Sequence, residues 1–272
     1  MGIRGLYSSI RHLAIPIQPS EESPLRIGVD TYGLFYRFKE NFSELFRFIE
    51  KLCAGKHTPI FVLDGIAPPE KQQELDARRK VRREAAQQAT ALRTFLSEPA
   101  AQELSEMSRK VIEMKIQQYD NQAWAVYKEL RERFVEAAKE KGFDVRLSKG
   151  EADEDLLQMA MDHEIDVVLA NDMDYFVSGV ERLWIFTKDA PVVQEFPRTL
   201  ISKSLGVDPT AWKDIALLAG YEKAQNLRLM PASQAISLLH TYGTLENLFE
   251  KRKEMFKTQS LEEYQKARVF FP

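Results

Sequence analysis

Three short apolar runs along the chain each end where acidic residues begin. Their length and their content of Val, Ile and Leu predict buried β-strands. The carboxyl ends of parallel strands line one crevice, so we expect the acidic residues to face a common site. The runs and their following residues are 25–29 before Asp30, 59–63 before Asp64, and 165–170 before Asn171, Asp172, Met173 and Asp174.

Helical patterns fill the intervals between these strands. Residues 33–52 carry apolar side chains at helical spacing, and residues 70–95 are rich in Ala, Arg, Gln and Glu. No glycine or proline lies between Pro99 and Gly142, which predicts further helix there. Alternating strands and helices predict an α/β fold with a mostly parallel central sheet flanked by helices. Residues 199–272 show no strand pattern and predict several short helices, broken at glycines and prolines.

Length, cysteine count, apolar runs and net charge exclude several classes of protein. A chain of 272 residues with 44% hydrophobic content predicts one compact catalytic unit with a smaller helical appendage. The single cysteine, Cys53, excludes an internal disulfide framework and fits a reducing intracellular compartment. No run of eighteen apolar residues occurs, so we expect a soluble protein. A net charge of −3 argues against a uniformly basic DNA-coating protein, so any contact with nucleic acid must be local.

The acidic residues form a candidate metal site. Mg²⁺ prefers oxygen ligands, and two ions close together need several carboxylates to offset their charge. The alternative is that these are ordinary helix-cap and loop carboxylates, and spacing alone leaves the two interpretations about even. The candidate ligands are Asp30, Asp64, Glu151, Asp153, Asp172, Asp174 and Glu222.

A run of cations follows Asp64 on the helix predicted over residues 70–95. On a helix, Lys71, Arg78 and Arg82 fall along one side, where they could hold phosphates. A solvated helix face is the usual explanation of such a run. We favour phosphate binding because the run directly follows a candidate metal ligand. The cations are Lys71, Arg78, Arg79, Lys80, Arg82 and Arg83.

Five motifs, taken together, resemble the XPG/Rad2 family of 5′ structure-specific nucleases, which includes the flap endonucleases. They occur in the family's order over about residues 1–180. The first resembles the family's N-terminal start, the second its first-aspartate strand, and the third its Phe-Asp-Gly segment with the cations that follow it. The last two resemble its Glu-Ala-Glu/Asp and Asp-x-Asp motifs. The motifs are MGIRGL, IGVDTYGLFYR, FVLDGIAPPEKQQELDARRKVRR, GEADEDLL and VLANDMDYFVSG.

The resemblance implies a role for each matching residue. The six aspartates and glutamates up to Asp174 become ligands of two Mg²⁺ ions, with Mn²⁺ as a substitute. Lys71 and Arg78 become cations that contact the scissile phosphate. Tyr36 falls where the family stacks an aromatic ring on a base, and the alternative is a surface tyrosine packed on a neighbouring helix. Gly2 lies in a segment that passes close to DNA and metal.

The resemblance also implies a domain plan. It predicts a 5′-nuclease (PIN-like) domain over residues 1–198, with a helical arch over about 71–142, and a C-terminal helical DNA-binding region over 199–272. In that region the family's seventh carboxylate becomes Glu222. The glycine-rich turn of its helix-hairpin-helix becomes residues 229–232, which contain no glycine, so we expect neither a potassium site nor the usual duplex contact.

The predicted activity is hydrolysis of DNA at a 5′ flap or a single-strand/double-strand junction, in the nucleus or wherever DNA is replicated and repaired. We expect a monomer, and the spacing from Gln265 to Phe270 does not fit a sliding-clamp peptide. Two alternatives stay open: a 5′ to 3′ exonuclease with the same catalytic residues, and a catalytically silent nucleic-acid-binding relative. An RNA-directed relative is a further possibility.

Overall fold

The computed structural model describes residues 2–66, 71–186, 192–224, 227, 230–256 and 259–271, except the side chains of Glu74, Ala100 and Lys223. The chain divides into two compact units, residues 1–65 with 135–272 and residues 66–134. No helix within the described ranges is long and apolar enough to cross a membrane.

The first unit is built on a mostly parallel sheet, as the sequence predicts. In the described residues the sheet has seven strands in the order β1-β7-β6-β5-β2-β3-β4. The five strands from β4 to β6 in this order are parallel, while β7 runs antiparallel to both of its neighbours. The strands are β1 (Ile15–Ile17), β2 (Arg26–Asp30), β3 (Thr58–Leu63), β4 (Asp144–Leu147), β5 (Val167–Leu169), β6 (Arg182–Phe186) and β7 (Val193–Pro197).

Helices flank this sheet and make up the C-terminal part of the first unit. The helices of the described residues in this unit are α1 (Leu6–Ile10), α2 (Thr31–Phe38), α3 (Phe42–Cys53), α7 (Ala152–Met161), α8 (Asp174–Ser178), α9 (Arg198–Leu205), α10 (Trp212–Ala219), α11 (Ala232–Tyr242), α12 (Leu245–Lys251) and α13 (Leu261–Ala267). The helix predicted over residues 33–52 is therefore two helices. The second begins after Asn41, whose side chain accepts a hydrogen bond from the backbone N–H of Glu44 at 3.1 Å and so caps it.

One hydrophobic core joins the sheet to the C-terminal helices. Gly28 on β2 allows α7 to pack closely, because a Cβ there would lie 2.5 Å from Ile165 Cδ1 and 2.7 Å from Leu156 Cδ2. In the same core, Phe176 of α8 packs edge to face against Trp212 of α10, with 4.8 Å between ring centroids. The core thus holds α7 and α8, which carry candidate ligands, at fixed positions beside the strands.

The second unit is a helical hairpin. Its helices are α4 (Gln72–Ser97) and α5 (Glu106–Ala123), joined through a 3-10 turn at Pro99–Glu103, and α6 (Lys128–Glu140) begins in it. Arg93 of α4 pairs with Asp120 of α5, and Arg109 donates to the carbonyl oxygen of Ala101 at 3.0 Å. Most of the described residues predicted to be helical are helical, but residues 124–127 separate α5 from α6 where continuous helix was predicted. Their role as an arch stays a prediction, as does the boundary at residue 198.

Candidate active site

Asp30 is the last residue of β2 and the N-cap of α2. Its Oδ1 accepts the backbone N–H of Tyr32 at 3.1 Å, as a helix N-cap does. Its Oδ2 accepts the hydroxyl of Tyr175, from α8, at 3.2 Å. Both carboxylate oxygens are therefore held by donors from different helices.

Asp64 follows β3 and is held against the start of α7. It accepts the backbone N–H of Ala152 at 2.8 Å, while Gly65 donates to the carbonyl oxygen of Gly150 at 2.7 Å. The contact requires glycine, because a Cβ at Gly65 would lie 2.0 Å from the carbonyl oxygen of Ser148. The two chain segments approach so closely that Asp64 lies beside the first turn of α7.

That turn carries two more candidate ligands. Glu151 is the N-cap residue of α7, and Asp153 lies in its first turn. The hydroxyl of Ser148, itself buried, donates to the carbonyl oxygen of Glu151 at 2.9 Å and fixes the entry to the helix. The anions at this helix start also interact favourably with the helix dipole.

Gly2 lies against the remaining carboxylates. A Cβ on Gly2 would lie 2.5 Å from Asp172 Oδ1 and 2.6 Å from Asp174 Oδ1. Because both distances start at the same point, these two oxygens are at most 5.1 Å apart. The backbone N–H of Gly2 donates to Glu222 Oε2 at 3.2 Å. The backbone N–H of Asp174 donates to Asp172 Oδ1 at 3.1 Å. Gly2 has φ +83°, a conformation that favours glycine.

The charges of these carboxylates act on one another. The pKa of Asp30 is raised to about 7. Burial is the largest cause, and the negative charges of Asp64 and Asp172 add to it. Burial also raises the pKa of Asp172, and the charge of Glu222 adds to this effect. The strands and α7 have thus brought together acidic groups from distant parts of the sequence, and their mutual repulsion favours binding of protons or cations.

The donor set fits a hard divalent cation. All seven candidates offer carboxylate oxygens, the ligands that Mg²⁺ and Mn²⁺ prefer. Within the described residues, no three Asp, Glu, His or Cys side chains converge tightly enough to hold an ion in their present rotamers.

Two buried tyrosines beside the cluster were missed by the sequence interpretation. Tyr175 follows Asp174, and burial together with the charges of Asp30 and Asp153 raises its pKa. Burial and the charge of Asp174 likewise raise the pKa of Tyr221, whose ring stacks on Phe271 at 4.3 Å. Their position next to predicted acidic ligands was the available signal in the sequence.

The predicted DNA contacts are distributed over both units. Tyr36 on α2 is 48% exposed, as a ring that stacks on a base requires. Within the second unit, Lys71, Arg78 and Arg82 are half-buried, whereas Arg79, Lys80 and Arg83 are exposed, and Arg79 pairs with Asp76 at 2.9 Å. Lys71 at the N-cap of α4, together with Arg78 and Arg82 within it, is thus less exposed than the other three cations of this run.

The predicted helix-hairpin-helix falls between α10 and α11. Met230 is buried and donates its backbone N–H to the carbonyl oxygen of Leu218 at 3.0 Å, and Pro231 precedes α11. Residue 229 of the predicted turn lies outside the described residues. The loss of the potassium site stays a prediction.

Solved nuclease structures share this fold. The catalytic core of Rad2 in complex with DNA substrate superposes with a TM-score of 0.64 at 18% identity, over 99% of this chain and 78% of that one. The Holliday junction-resolving enzyme GEN1 in complex with product DNA and Mg²⁺ gives a TM-score of 0.58 at 15% identity, over 99% of this chain and 64% of that one. The fold is that of the Rad2-type nucleases.

Sequence comparison finds similarity to flap endonucleases. Flap endonuclease 1-B of Oryza sativa subsp. indica is 22% identical over 219 residues, which cover 78% of this chain. The chain matches about half, 49%, of that relative's length. No family model matches the sequence. The predicted resemblance to the flap endonucleases of the XPG/Rad2 family is confirmed.

Proposed function

We propose that this protein is a metal-dependent nuclease that cuts DNA at 5′ flaps and other single-strand/double-strand junctions. The carboxylate cluster carries the proposal: acidic groups meet at the carboxyl ends of β2, β3 and β5, in a fold shared with nucleases solved with DNA. A protein without a cation to bind has no reason to hold these charges together, because their repulsion costs stability.

The carboxylates of the cluster would bind the metal ions that carry out the hydrolysis. Asp30, Asp64, Glu151, Asp153, Asp172 and Asp174 would hold two Mg²⁺ ions, or Mn²⁺ in their place, with Glu222 as a further ligand. Such ions supply activation of the attacking water and stabilisation of the leaving oxygen, so no protein nucleophile is needed. Gly2 leaves room beside Asp172 and Asp174 that a side chain would fill.

The cations of α4 and the exposed ring of α2 would handle the DNA. Lys71 and Arg78 contact the scissile phosphate and stabilise the charge that develops there. Arg79, Arg82 and Arg83 bind neighbouring phosphates, and Tyr36 stacks on a base near the cut. These contacts recognise DNA structure more than base sequence. They fit an enzyme of DNA replication and repair in the nucleus.

A panel of end-labelled substrates tests the proposal. A 5′-flap duplex, a blunt duplex of the same sequence and a 5′-flap with an RNA flap strand are each incubated with Mg²⁺, with Mn²⁺ and with EDTA. We expect the DNA flap to be cut at the branch with either metal, to stay intact in EDTA, and to leave 5′-phosphate and 3′-hydroxyl ends.

The other outcomes identify the alternatives. Stepwise release of nucleotides from the blunt duplex, at least as fast as flap cleavage, identifies a 5′ to 3′ exonuclease. Preferential cleavage of the RNA flap identifies an RNA-directed enzyme. Binding of the flap without cleavage in either metal contradicts the nuclease proposal and identifies a silent binding module.

A further inference from the structure

Tyr175 places a buried hydroxyl against one of the proposed metal ligands. The side chain is 4% exposed, and its hydroxyl donates to Asp30 Oδ2 at 3.2 Å. The next two residues of α8, Phe176 and Val177, are also buried, so this helix is embedded in the core. Packing therefore fixes the position of α8, and with it the position of the Tyr175 hydroxyl beside Asp30.

The Tyr175 hydroxyl is the second hydrogen-bond donor that orients the Asp30 carboxylate. Oδ1 already accepts the backbone N–H of Tyr32, from the first turn of α2. A second donor on Oδ2, from an element 145 residues away, restricts rotation of the carboxylate plane. A carboxylate has about four lone-pair sites, so both oxygens keep capacity for a cation.

We propose that Tyr175 is a positioning residue of the metal centre, which holds Asp30 in the orientation that binds a cation. This inference rests on the proposed function. Donors behind metal-binding carboxylates act in this way in other proteins, where their loss weakens metal affinity by roughly 10- to 100-fold. Tyr175 also directly follows Asp174, so one short helix carries one proposed ligand and donates a hydrogen bond to another.

A purely structural role makes a different prediction. If Asp30 serves only as the acceptor that a buried hydroxyl needs, loss of the hydroxyl changes stability and leaves metal affinity unchanged. Tyr175→Phe separates the two roles, because it removes one oxygen and keeps the ring. Tyr264→Phe is the matched control, since Tyr264 is equally buried and its hydroxyl donates to the carbonyl oxygen of Leu227 at 2.8 Å.

Mn²⁺ binding is measured without DNA, by titration followed with electron paramagnetic resonance of the free ion. We expect Tyr175→Phe to bind Mn²⁺ roughly 10- to 100-fold more weakly than the wild type, and Tyr264→Phe to bind it equally well. In flap cleavage, Tyr175→Phe should need correspondingly more Mg²⁺ and recover most of its rate at saturating Mg²⁺. Should Tyr175→Phe be unfolded at the titration temperature by circular dichroism, all three proteins are titrated at a lower temperature at which it is folded, and the same loss of affinity is expected.

Two results overturn the inference in distinguishable ways. Equal Mn²⁺ affinity of Tyr175→Phe and the wild type, with flap cleavage intact, removes the positioning role and leaves the proposed function standing. A wild type that neither binds Mn²⁺ nor cuts the flap removes the proposed function itself.

Discussion

Replacement of Gly65 by alanine should disrupt the contact that places Asp64 beside α7. The added Cβ would lie 2.0 Å from the carbonyl oxygen of Ser148. A carbon and a carbonyl oxygen normally approach to about 3.3 Å, so the two segments must separate by roughly 1.3 Å. That separation breaks the hydrogen bonds of Gly65 to Gly150, at 2.7 Å, and of Ser148 to Leu63, at 2.9 Å.

The cost can be estimated from these losses. Two backbone hydrogen bonds contribute about 2 kcal/mol together, and overpacking adds about 1–3 kcal/mol, so we expect Gly65→Ala to lower the free energy of unfolding by about 3–5 kcal/mol. Urea unfolding followed by circular dichroism measures this. Gly33→Ala is the control. Gly33 lies within α2, and its Cβ would be 3.7 Å from the Phe186 ring, which is an ordinary van der Waals distance. This substitution should therefore raise the free energy of unfolding by about 0.5–1 kcal/mol. Equal stability of Gly65→Ala and the wild type would refute the reasoning.

Four further predictions address other parts of the first and second units. Gly2→Ala forces a Cβ into two carboxylates at φ +83° and should abolish most Mg²⁺-dependent flap cleavage; unchanged cleavage contradicts the role given to Gly2. Arg78→Ala should slow flap cleavage roughly 100-fold, as loss of a group that stabilises transition-state charge does, and equal cleavage contradicts that role. Glu195→Ala leaves Arg182 without its 2.6 Å partner and should cost about 3 kcal/mol in urea unfolding, whereas a loss under about 1 kcal/mol would show that Glu22 compensates. In EDTA, Asp30 with a folded pKa of about 7 binds its proton more tightly than in the unfolded chain, where its pKa is about 3.9, so its contribution to stability should be complete below about pH 4, fall as pH rises to about 7 and level off above that; Asp30→Asn should flatten this dependence in thermal melts.

The ends of β2 and β3 were predictable because two local features of the sequence coincide there, an apolar run and the aspartate that directly follows it. Buried apolar runs stop at Asp30 and Asp64, and β2 and β3 begin and end within one residue of the predicted runs. The strands β1, β4, β6 and β7 were not predicted. Their pairing is set by long-range contacts, such as the antiparallel register of β1 with β7, about 180 residues apart. In β1, moreover, only three residues pair, and one is Pro16.

The candidate site was partly predictable for a similar reason. Its carboxylates stand in short motifs that the sequence displays directly, so their identities could be proposed one by one. The hydrogen bond from Tyr175 to Asp30 and the contact of Gly65 with Ser148 could not be foreseen. Both depend on how closely two distant segments approach, and that distance is decided by core packing.

Cleavage of a 5′-flap duplex by Asp174→Ala, compared with the wild type in Mg²⁺, tests the central claim most directly. Asp162→Ala is the matched control, because Asp162 is an exposed acidic residue at the far end of α7. We expect the wild type and Asp162→Ala to cut at the branch equally, and Asp174→Ala to lose roughly 100-fold or more of the rate while still binding the flap. Equal cleavage by all three proteins would contradict the assignment of the carboxylate cluster as the active site.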